Sequence, residues 1–245
     1  MNTHSPNKNA AFLGLESCLV NERGILQGKN LVRTFSDVFD YYSASVYGKT
    51  LTGEPVVGSG IGLDEESARL SALGEAVERF CLKNPGFSTD VCPGDALGEP
   101  YLRTNMWPTF TQEQLDYPDF PFLGYHDQHS YKWVSVESLT SGKKLWVPKD
   151  LIYVAKSTIA ANVSTGTACH TNETTCILSA MYEAIERDAI SIMWESNAIT
   201  PRWNPDADWQ VQEVRDLSAH LKKQDLQLIL RDISTEFGIT IVLGI

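Results

Sequence analysis

One pattern of serine, glutamate and arginine occurs twice in the chain, as SALGEAVERF at residues 71–80 and as SAMYEAIERD at residues 179–188. When residues 58–79 are aligned with residues 166–187 without gaps, nine of the 22 positions are identical. The identical polar pairs in this core are Ser71/Ser179, Glu75/Glu183, Glu78/Glu186 and Arg79/Arg187. A solvated helix face has no need to keep these residue types in register twice, so the pattern predicts an internal duplication.

Each copy of the pattern has the period of an amphipathic α-helix. At about 100° per residue, Ser71, Glu75 and Glu78 share one face of the first helix. The large apolar residues fall on the opposite face, and they are Leu70, Leu73, Val77 and Phe80 in the first helix and Leu178, Met181, Ile185 and Ile192 in the second. We therefore expect two helices, each with an apolar back and an acidic front.

Two interpretations of the acidic fronts stay open. On a single helix, glutamate and arginine three or four residues apart commonly form an exposed ion-pair ladder that contributes only about 0.3 kcal/mol per pair. If the two helices face each other, four carboxylates converge, and such like charges need a compensating cation. Mg²⁺ takes carboxylate oxygens together with substrate phosphates, and arginine binds phosphate oxygens. The duplication favours a Mg–nucleotide site between the repeats over a structural domain with acidic surface helices.

The glycine-rich stretch GSGIG at residues 58–62 lies directly before the first of these helices. It does not match a P-loop, and it lacks the third glycine of a dinucleotide-binding fingerprint at the required spacing. We expect a loop whose backbone N–H groups approach a phosphate at the helix N-terminus.

The remaining patterns predict an α/β (α+β) fold with mixed or antiparallel sheets packed by helices, in which the duplicated helices flank a nucleotide cleft. A connection rich in proline, at residues 83–125, separates the two repeats. The predicted elements are a strand, turn and strand at 43–60, a helix that Asp64 caps, a hairpin around TSGK at 131–154, a helix at about 172–194, and a final helix followed by two strands at 211–245.

Composition excludes several classes of protein. The chain has 31 acidic and 20 basic residues and a net charge of −11, which argues against binding to nucleic acid or to anionic membranes. It contains no apolar stretch long enough for a membrane span. Its five cysteines form no CxxC pair, which favours reduced thiols and a cytoplasmic location.

We expect residues 1–245 to form a single domain, with subrepeats at about 40–82 and 131–194 and with residues 1–11 loosely attached. The sequence ends on an apolar strand, at Ile245. We therefore expect a domain that is incomplete at its C-terminus, and a natural end inside a sheet is the alternative.

The two motifs resemble those of the YcaO family. GIGLDEESARLSALGEAVERF is similar to the first glycine-rich segment and ExxER helix of that family, and STGTACHTNETTCILSAMYEAIERDA is similar to the second. The resemblance implies an enzyme that uses ATP and Mg²⁺ to phosphorylate a peptide backbone amide. Most characterised members are cyclodehydratases that convert Cys, Ser or Thr of ribosomally made precursor peptides into azolines, and others make thioamides or amidines or assist modification of a ribosomal protein.

Carried over residue by residue, the resemblance implies metal ligands and nucleotide contacts but identifies no catalytic base. The implied Mg²⁺ ligands are Glu75, Glu78, Glu183 and Glu186, and the implied ATP-binding residues are Ser71, Arg79, Ser179 and Arg187. Two positions depart from the family pattern. Ile61 stands where a lysine is frequent, and Thr175 stands where an acidic residue or glutamine is frequent.

The resemblance also implies partners: a precursor peptide, a leader-peptide-binding or TfuA-like protein, and a second copy of the chain in a homodimer. KLWVPKD, at residues 144–150, offers a strand edge to which a substrate peptide could add. Because of the departure at Ile61, a non-catalytic module that binds a precursor peptide or a partner protein is the alternative function. An accessory factor for modification of a ribosomal protein is a further alternative.

Overall fold

The structure is a computed structural model that describes residues 14, 16, 19–21, 24–34, 40–108, 110–154, 157–161, 163–205 and 211–245. The expected loose attachment of residues 1–11 lies outside the described residues. The helices are α1 (Glu65–Lys83), α2 (Gln112–Leu115), α3 (Glu173–Ser196) and α4 (Gln212–Lys222). The strands are β1 (Leu26–Thr34), β2 (Tyr41–Lys49), β3 (Pro55–Gly62), β4 (Cys92–Pro93), β5 (Ser130–Tyr131), β6 (Trp133–Glu137), β7 (Lys144–Pro148), β8 (Arg202–Trp203), β9 (Leu230–Asp232) and β10 (Val242–Gly244).

These elements form small sheets interspersed with helices, which confirms the predicted α+β class. The sheets have the strand orders β1-β2-β3, β10-β9-β8, β4-β5 and β6-β7, and the last three are antiparallel.

The chain divides into two compact units. The first unit is Met1–Tyr47, Val57–Ala76 and Thr165–Ile245, and the second is Gly48–Val56 and Val77–Ser164. No helix in the described part of the chain is both long and apolar enough to cross a membrane.

The two long helices begin at equivalent positions of the repeated pattern, and each has a side-chain cap. Asp64 accepts hydrogen bonds from the backbone N–H and the hydroxyl of Ser67, at 2.8 and 2.7 Å. Asn172 accepts the same two bonds from Thr175, at 2.9 and 3.0 Å. Both caps satisfy N–H groups that the first turn of a helix leaves unpaired, so the predicted N-cap at Asp64 is confirmed.

Strand β3 packs directly against α1 in the first unit. A Cβ at Gly58 would overlap the backbone of Ala72 and Ala76, and a Cβ at Gly60 would overlap the backbone of Ala68. The alanines are fully buried. GSGIG therefore belongs to a strand, as predicted as far as residue 60, and the phosphate-binding loop expected at 58–62 is wrong. Its glycines allow strand and helix backbones to approach closely.

The apolar back predicted for α3 is largely exposed. Leu178, Met181 and Ile192 each keep more than 40% of their surface accessible. The buried position is Ala189, which packs with Ile233 and Ile241 beside β9 and β10. Helical periodicity placed the large side chains on one face correctly, but only part of that face is covered in the described chain.

The second unit is built around a cluster of aromatic side chains on and beside the predicted hairpin. Strands β6 and β7 pair from Trp133–Pro148 to Glu137–Lys144, which confirms the hairpin. Trp133 is completely buried and donates its indole N–H to the carbonyl of Cys92 at 2.9 Å. Its ring makes edge-to-face contacts with Tyr101 and Tyr131, at centroid distances of 5.4 and 5.8 Å. Burial raises the pKa of the Tyr125 phenol in the same cluster.

The edge of β7 is already occupied, so the hypothesis that KLWVPKD accepts a peptide strand is wrong. Trp146 donates its N–H to the Pro100 carbonyl at 3.0 Å, and its own carbonyl accepts the N–H of Leu102 at 2.8 Å. Tyr101 forms a parallel bridge with Trp146 between these bonds. The other edge of β7 pairs with β6, so the strand has a neighbouring segment on both sides at Trp146.

A buried carboxylate joins three segments of the first unit that are far apart in sequence. Glu16 is only 6% exposed, accepts a hydrogen bond from Lys29 on β1 at 2.9 Å, and forms a very short ion pair with Arg69 on α1. Burial alone would raise the pKa of Glu16, but the hydrogen bonds and charges of Lys29 and Arg69 outweigh this effect and hold the pKa below its ordinary value of 4.5.

Replacing Glu16 with glutamine is expected to lower the free energy of unfolding at neutral pH by about 2 kcal/mol, because two cations lose a buried partner. Since the pKa of Glu16 is lowered in the folded state, this stabilisation is present above its unfolded pKa and is lost as pH falls through the folded pKa. The difference between wild type and Glu16→Gln in urea unfolding should therefore shrink below about pH 4.5.

The matched control is Asp40→Asn, which removes an exposed ion pair with Arg33 at 3.1 Å. Exposed pairs of this kind contribute at most about 1 kcal/mol, and the change at Asp40 should be smaller than the change at Glu16. Equal effects of the two substitutions at pH 7 would contradict the role of Glu16.

Candidate functional site

Six of the eight predicted site residues lie in the first unit, and Glu78 and Arg79 lie in the part of α1 that belongs to the second. The three half-buried side chains among the eight are Glu75, Glu78 and Glu183, and the exposed ones are Ser71, Arg79, Ser179, Glu186 and Arg187. Helices α1 and α3 thus present the repeated residues at or near the protein surface, where a ligand could reach them.

The carboxylate of Glu75 is held by the strand before its helix. Ser59 donates both its backbone N–H and its hydroxyl to the same oxygen of Glu75, Oε2, and the hydroxyl bond measures 2.9 Å. This contact is possible because the glycines on either side of Ser59 bring β3 against α1. Two donors from one residue fix the orientation of the carboxylate at the surface.

The carboxylate of Glu183 is held in a similar way on α3. Gly166, in the segment before that helix, donates its backbone N–H to Oε2 of Glu183 at 3.0 Å. A Cβ at Gly166 would lie 3.9 Å from Ala184 Cβ and 4.0 Å from the Ala180 carbonyl oxygen. Ala180 and Ala184 are equivalent to the alanines that Gly58 contacts on α1, although the approach here is looser.

The repeated helices are therefore more alike than the segments that precede them. Residues 163–170, all of which the structure describes, form no strand, whereas their counterparts in the first repeat, residues 55–62, form β3. Gly60 of β3 is replaced by Ala168 in the second segment, and an alanine there is incompatible with the close packing seen in the first. The equivalent caps and carboxylate contacts support an internal duplication, which stays a prediction.

No group of three or more Asp, Glu, His or Cys side chains in the described residues is arranged to hold a metal ion. Convergence of the four glutamates thus remains a prediction. Mg²⁺ in nucleotide enzymes is commonly bound by one or two carboxylates, with phosphates and water completing its coordination. Glu75 and Glu183 offer the oriented oxygen donors that such a site needs.

His170 has a structural role beside the cap of α3. Its Nδ1 accepts the backbone N–H of Asn172 at 2.9 Å, so the ring supports the segment that enters the helix. The thiol of Cys176 contacts the Ala168 carbonyl at 3.2 Å. Both contacts are local to the segment that leads into α3.

Sequence reasoning did not identify Ser59 as part of the site. The available signal was its position between two glycines that precede an acidic helix, because flanking glycines often mark a close approach of two backbones. The partner across that approach lies 16 residues further along the chain, and only the packing of β3 on α1 identifies it as Glu75.

A family model described as YcaO cyclodehydratase, ATP- and Mg²⁺-binding, matches residues 59–245. The chain belongs to the YcaO family, which confirms the resemblance seen in its motifs. No curated protein matches the sequence significantly.

Three solved structures illustrate the likeness in fold. A heterocyclase in complex with substrate and cofactor superposes with a TM-score of 0.77 at 19% identity, over 97% of this chain and 35% of that chain. YcaO from Methanopyrus kandleri bound with AMPPCP and Mg²⁺ gives 0.65 at 16% identity, over 96% and 55%. The E. coli microcin synthetase McbBCD complex gives 0.58 at 15% identity, over 88% and 53%. The chain thus spans between about a third and about half of the length of these structures.

Proposed function

We propose that this chain takes part in the Mg–ATP-dependent activation of a peptide backbone amide, and that the reaction is cyclodehydration of Cys, Ser or Thr to an azoline in a precursor peptide. The observation that carries the proposal is the matched pair of glutamates on α1 and α3. In a chain of the YcaO family, Glu75 and Glu183 occupy equivalent positions, and each has one carboxylate oxygen held by a backbone N–H.

The residues present fit a magnesium–nucleotide complex. Glutamate carboxylates are the hard oxygen ligands that Mg²⁺ prefers, and we propose that Glu75, Glu78, Glu183 and Glu186 supply them. Arg79 and Arg187 each follow a glutamate directly in sequence and are exposed, so their guanidinium groups are suited to bind phosphate oxygens. Ser71 and Ser179 lie one turn before Glu75 and Glu183 and would donate to the same phosphates.

The proposed reaction begins at the side chain of the substrate Cys, Ser or Thr. Its hydroxyl or thiol loses a proton and attacks the preceding amide carbonyl, and the resulting tetrahedral oxygen takes the terminal phosphoryl group of ATP, which releases ADP. Loss of that oxygen as phosphate, with loss of the amide proton, closes the C=N bond of the azoline. Bound Mg²⁺ would neutralise charge on the transferred phosphoryl group, and the chain's own arginines would orient it.

A second function is favoured by one position on β3. Ile61 is 68% exposed where the family often has a lysine, and loss of that cation is compatible with a non-catalytic module that binds a precursor peptide or a partner protein. A homodimer, and association with a leader-peptide-binding or TfuA-like protein, are proposed for either function.

Mass spectrometry of a synthetic library of peptides containing Cys, Ser or Thr, incubated with the chain, ATP and Mg²⁺, separates the two functions. Cyclodehydration predicts loss of one water mass per modified residue and release of an equal amount of phosphate. Peptide binding without any mass change would favour the non-catalytic module. An unmodified and unbound library, from a chain that also binds no nucleotide, would contradict both.

A further inference from the structure

We propose that Ser59 is a positioning residue that orients Glu75 for metal binding, an inference that rests on the proposed function of Glu75. Ser59 directs two donors to one carboxylate oxygen, Oε2, and so its contact does not use Oε1. A carboxylate fixed through one oxygen presents the other in a defined direction. Partners of this kind, which touch the ligand and not the metal, strongly affect metal affinity in proteins.

The position of Ser59 is itself set by rigid elements. It lies in β3, where Gly58 and Gly60 rest against the backbone of α1 with no room for a side chain. Strand and helix therefore cannot shift relative to each other without breaking this packing. The backbone N–H of Ser59 is held within hydrogen-bonding distance of Glu75, and its hydroxyl adds a second bond from the same residue.

The segment before α3 holds its glutamate differently. Glu183 accepts a backbone N–H from Gly166, whose φ of +80° suits glycine. Gly166 aligns with Gly58 and not with Ser59, so the donor to Glu183 comes from a different position of the repeat. The double donation from Ser59 to Glu75 thus follows from the packing of β3 on α1.

The test is calorimetric titration of Mg²⁺ into the chain at a fixed concentration of AMPPCP, comparing wild type, Ser59→Ala and Ser59→Thr. Alanine keeps the backbone donor and removes the hydroxyl, so we expect a shift of the Mg²⁺ midpoint by roughly 10-fold to higher concentration, at the lower end of such effects. Threonine keeps the hydroxyl and suits a strand, so it should restore the midpoint to within about threefold of wild type.

The matched control is Ser67→Ala on the same helix. Its hydroxyl donates to the Asp64 carboxylate at 2.7 Å, so the substitution weakens the α1 cap and leaves the Mg²⁺ midpoint unchanged. A midpoint of Ser59→Ala equal to wild type, a failure of threonine to restore it, or an equal shift in Ser67→Ala would each overturn the role of Ser59. A folded wild type that binds no AMPPCP with Mg²⁺ would instead overturn the proposed function on which that role rests.

Discussion

Replacing both Glu75 and Glu183 with glutamine is expected to weaken Mg²⁺-dependent binding of AMPPCP by about 100-fold or more, because loss even of a residue that supports a ligand costs up to about 100-fold in metal affinity. Glutamine keeps the size of the side chain and removes the negative charge. Its amide nitrogen also cannot accept the hydrogen bonds that Ser59 and Gly166 donate. Isothermal titration calorimetry with and without Mg²⁺ measures the effect.

A variant with the same change in charge on the same two helices provides the control. Glu66→Gln with Glu195→Gln removes one carboxylate from α1 and one from α3, outside the repeated pattern. Its nucleotide affinity should stay within about twofold of wild type, since screened charges outside a site contribute little. If both double variants lose affinity equally, the effect is one of net charge, and the paired-glutamate site is contradicted.

Gly58→Ala is expected to destabilise the first unit by about 3 kcal/mol, toward the upper end of the cost of overpacking a core. The added methyl group would overlap backbone atoms of Ala72 and Ala76, which cannot move aside by changing a rotamer. Relief requires β3 to separate from α1, and that movement also withdraws Ser59 from Glu75. Chemical unfolding followed by circular dichroism measures the loss.

Gly74→Ala makes the same chemical change on α1 and should have the opposite sign. A Cβ at Gly74 meets no described atom within 4 Å. Alanine is favoured over glycine in a helix interior by about 0.5–1 kcal/mol, so this variant should be slightly more stable than wild type. A Gly58→Ala protein as stable as Gly74→Ala would mean that β3 does not rest on α1.

The features that could be predicted from sequence are those determined by neighbouring residues. Asp64 was identified as a cap because acidic residues follow it and an apolar period begins there, and the bonds from Ser67 confirm it. The β6–β7 hairpin followed from alternation on either side of a glycine-containing turn, and its pairing confirms it. The strands after α4 were overestimated, because β9 and β10 have only three residues each.

The features that could not be predicted depend on contacts between distant residues. Glu16 and Arg69 are 53 residues apart, and nothing local to either residue indicates a shared ion pair. The edge of β7 was predicted to be available because the segment at Tyr101 that covers it has no periodic pattern of its own. The packing of β3 on α1 was not predicted, because glycines before a helix also fit a phosphate-binding loop. The small alanines of α1 that face these glycines distinguish close strand–helix packing from such a loop.

The unequal approach of the two glycine-containing segments to their helices has a consequence for how the repeats tolerate sequence change. In the first repeat, strand and helix backbones touch, so residues 58 and 60 admit almost no replacement and this region should vary little among natural variants. In the second repeat a gap of about one methyl group already separates Gly166 from Ala180 and Ala184. Gly166 itself is retained because of its positive φ, but the helix positions that face it, Ala180 and Ala184, should accept larger side chains more readily than Ala72 and Ala76 do.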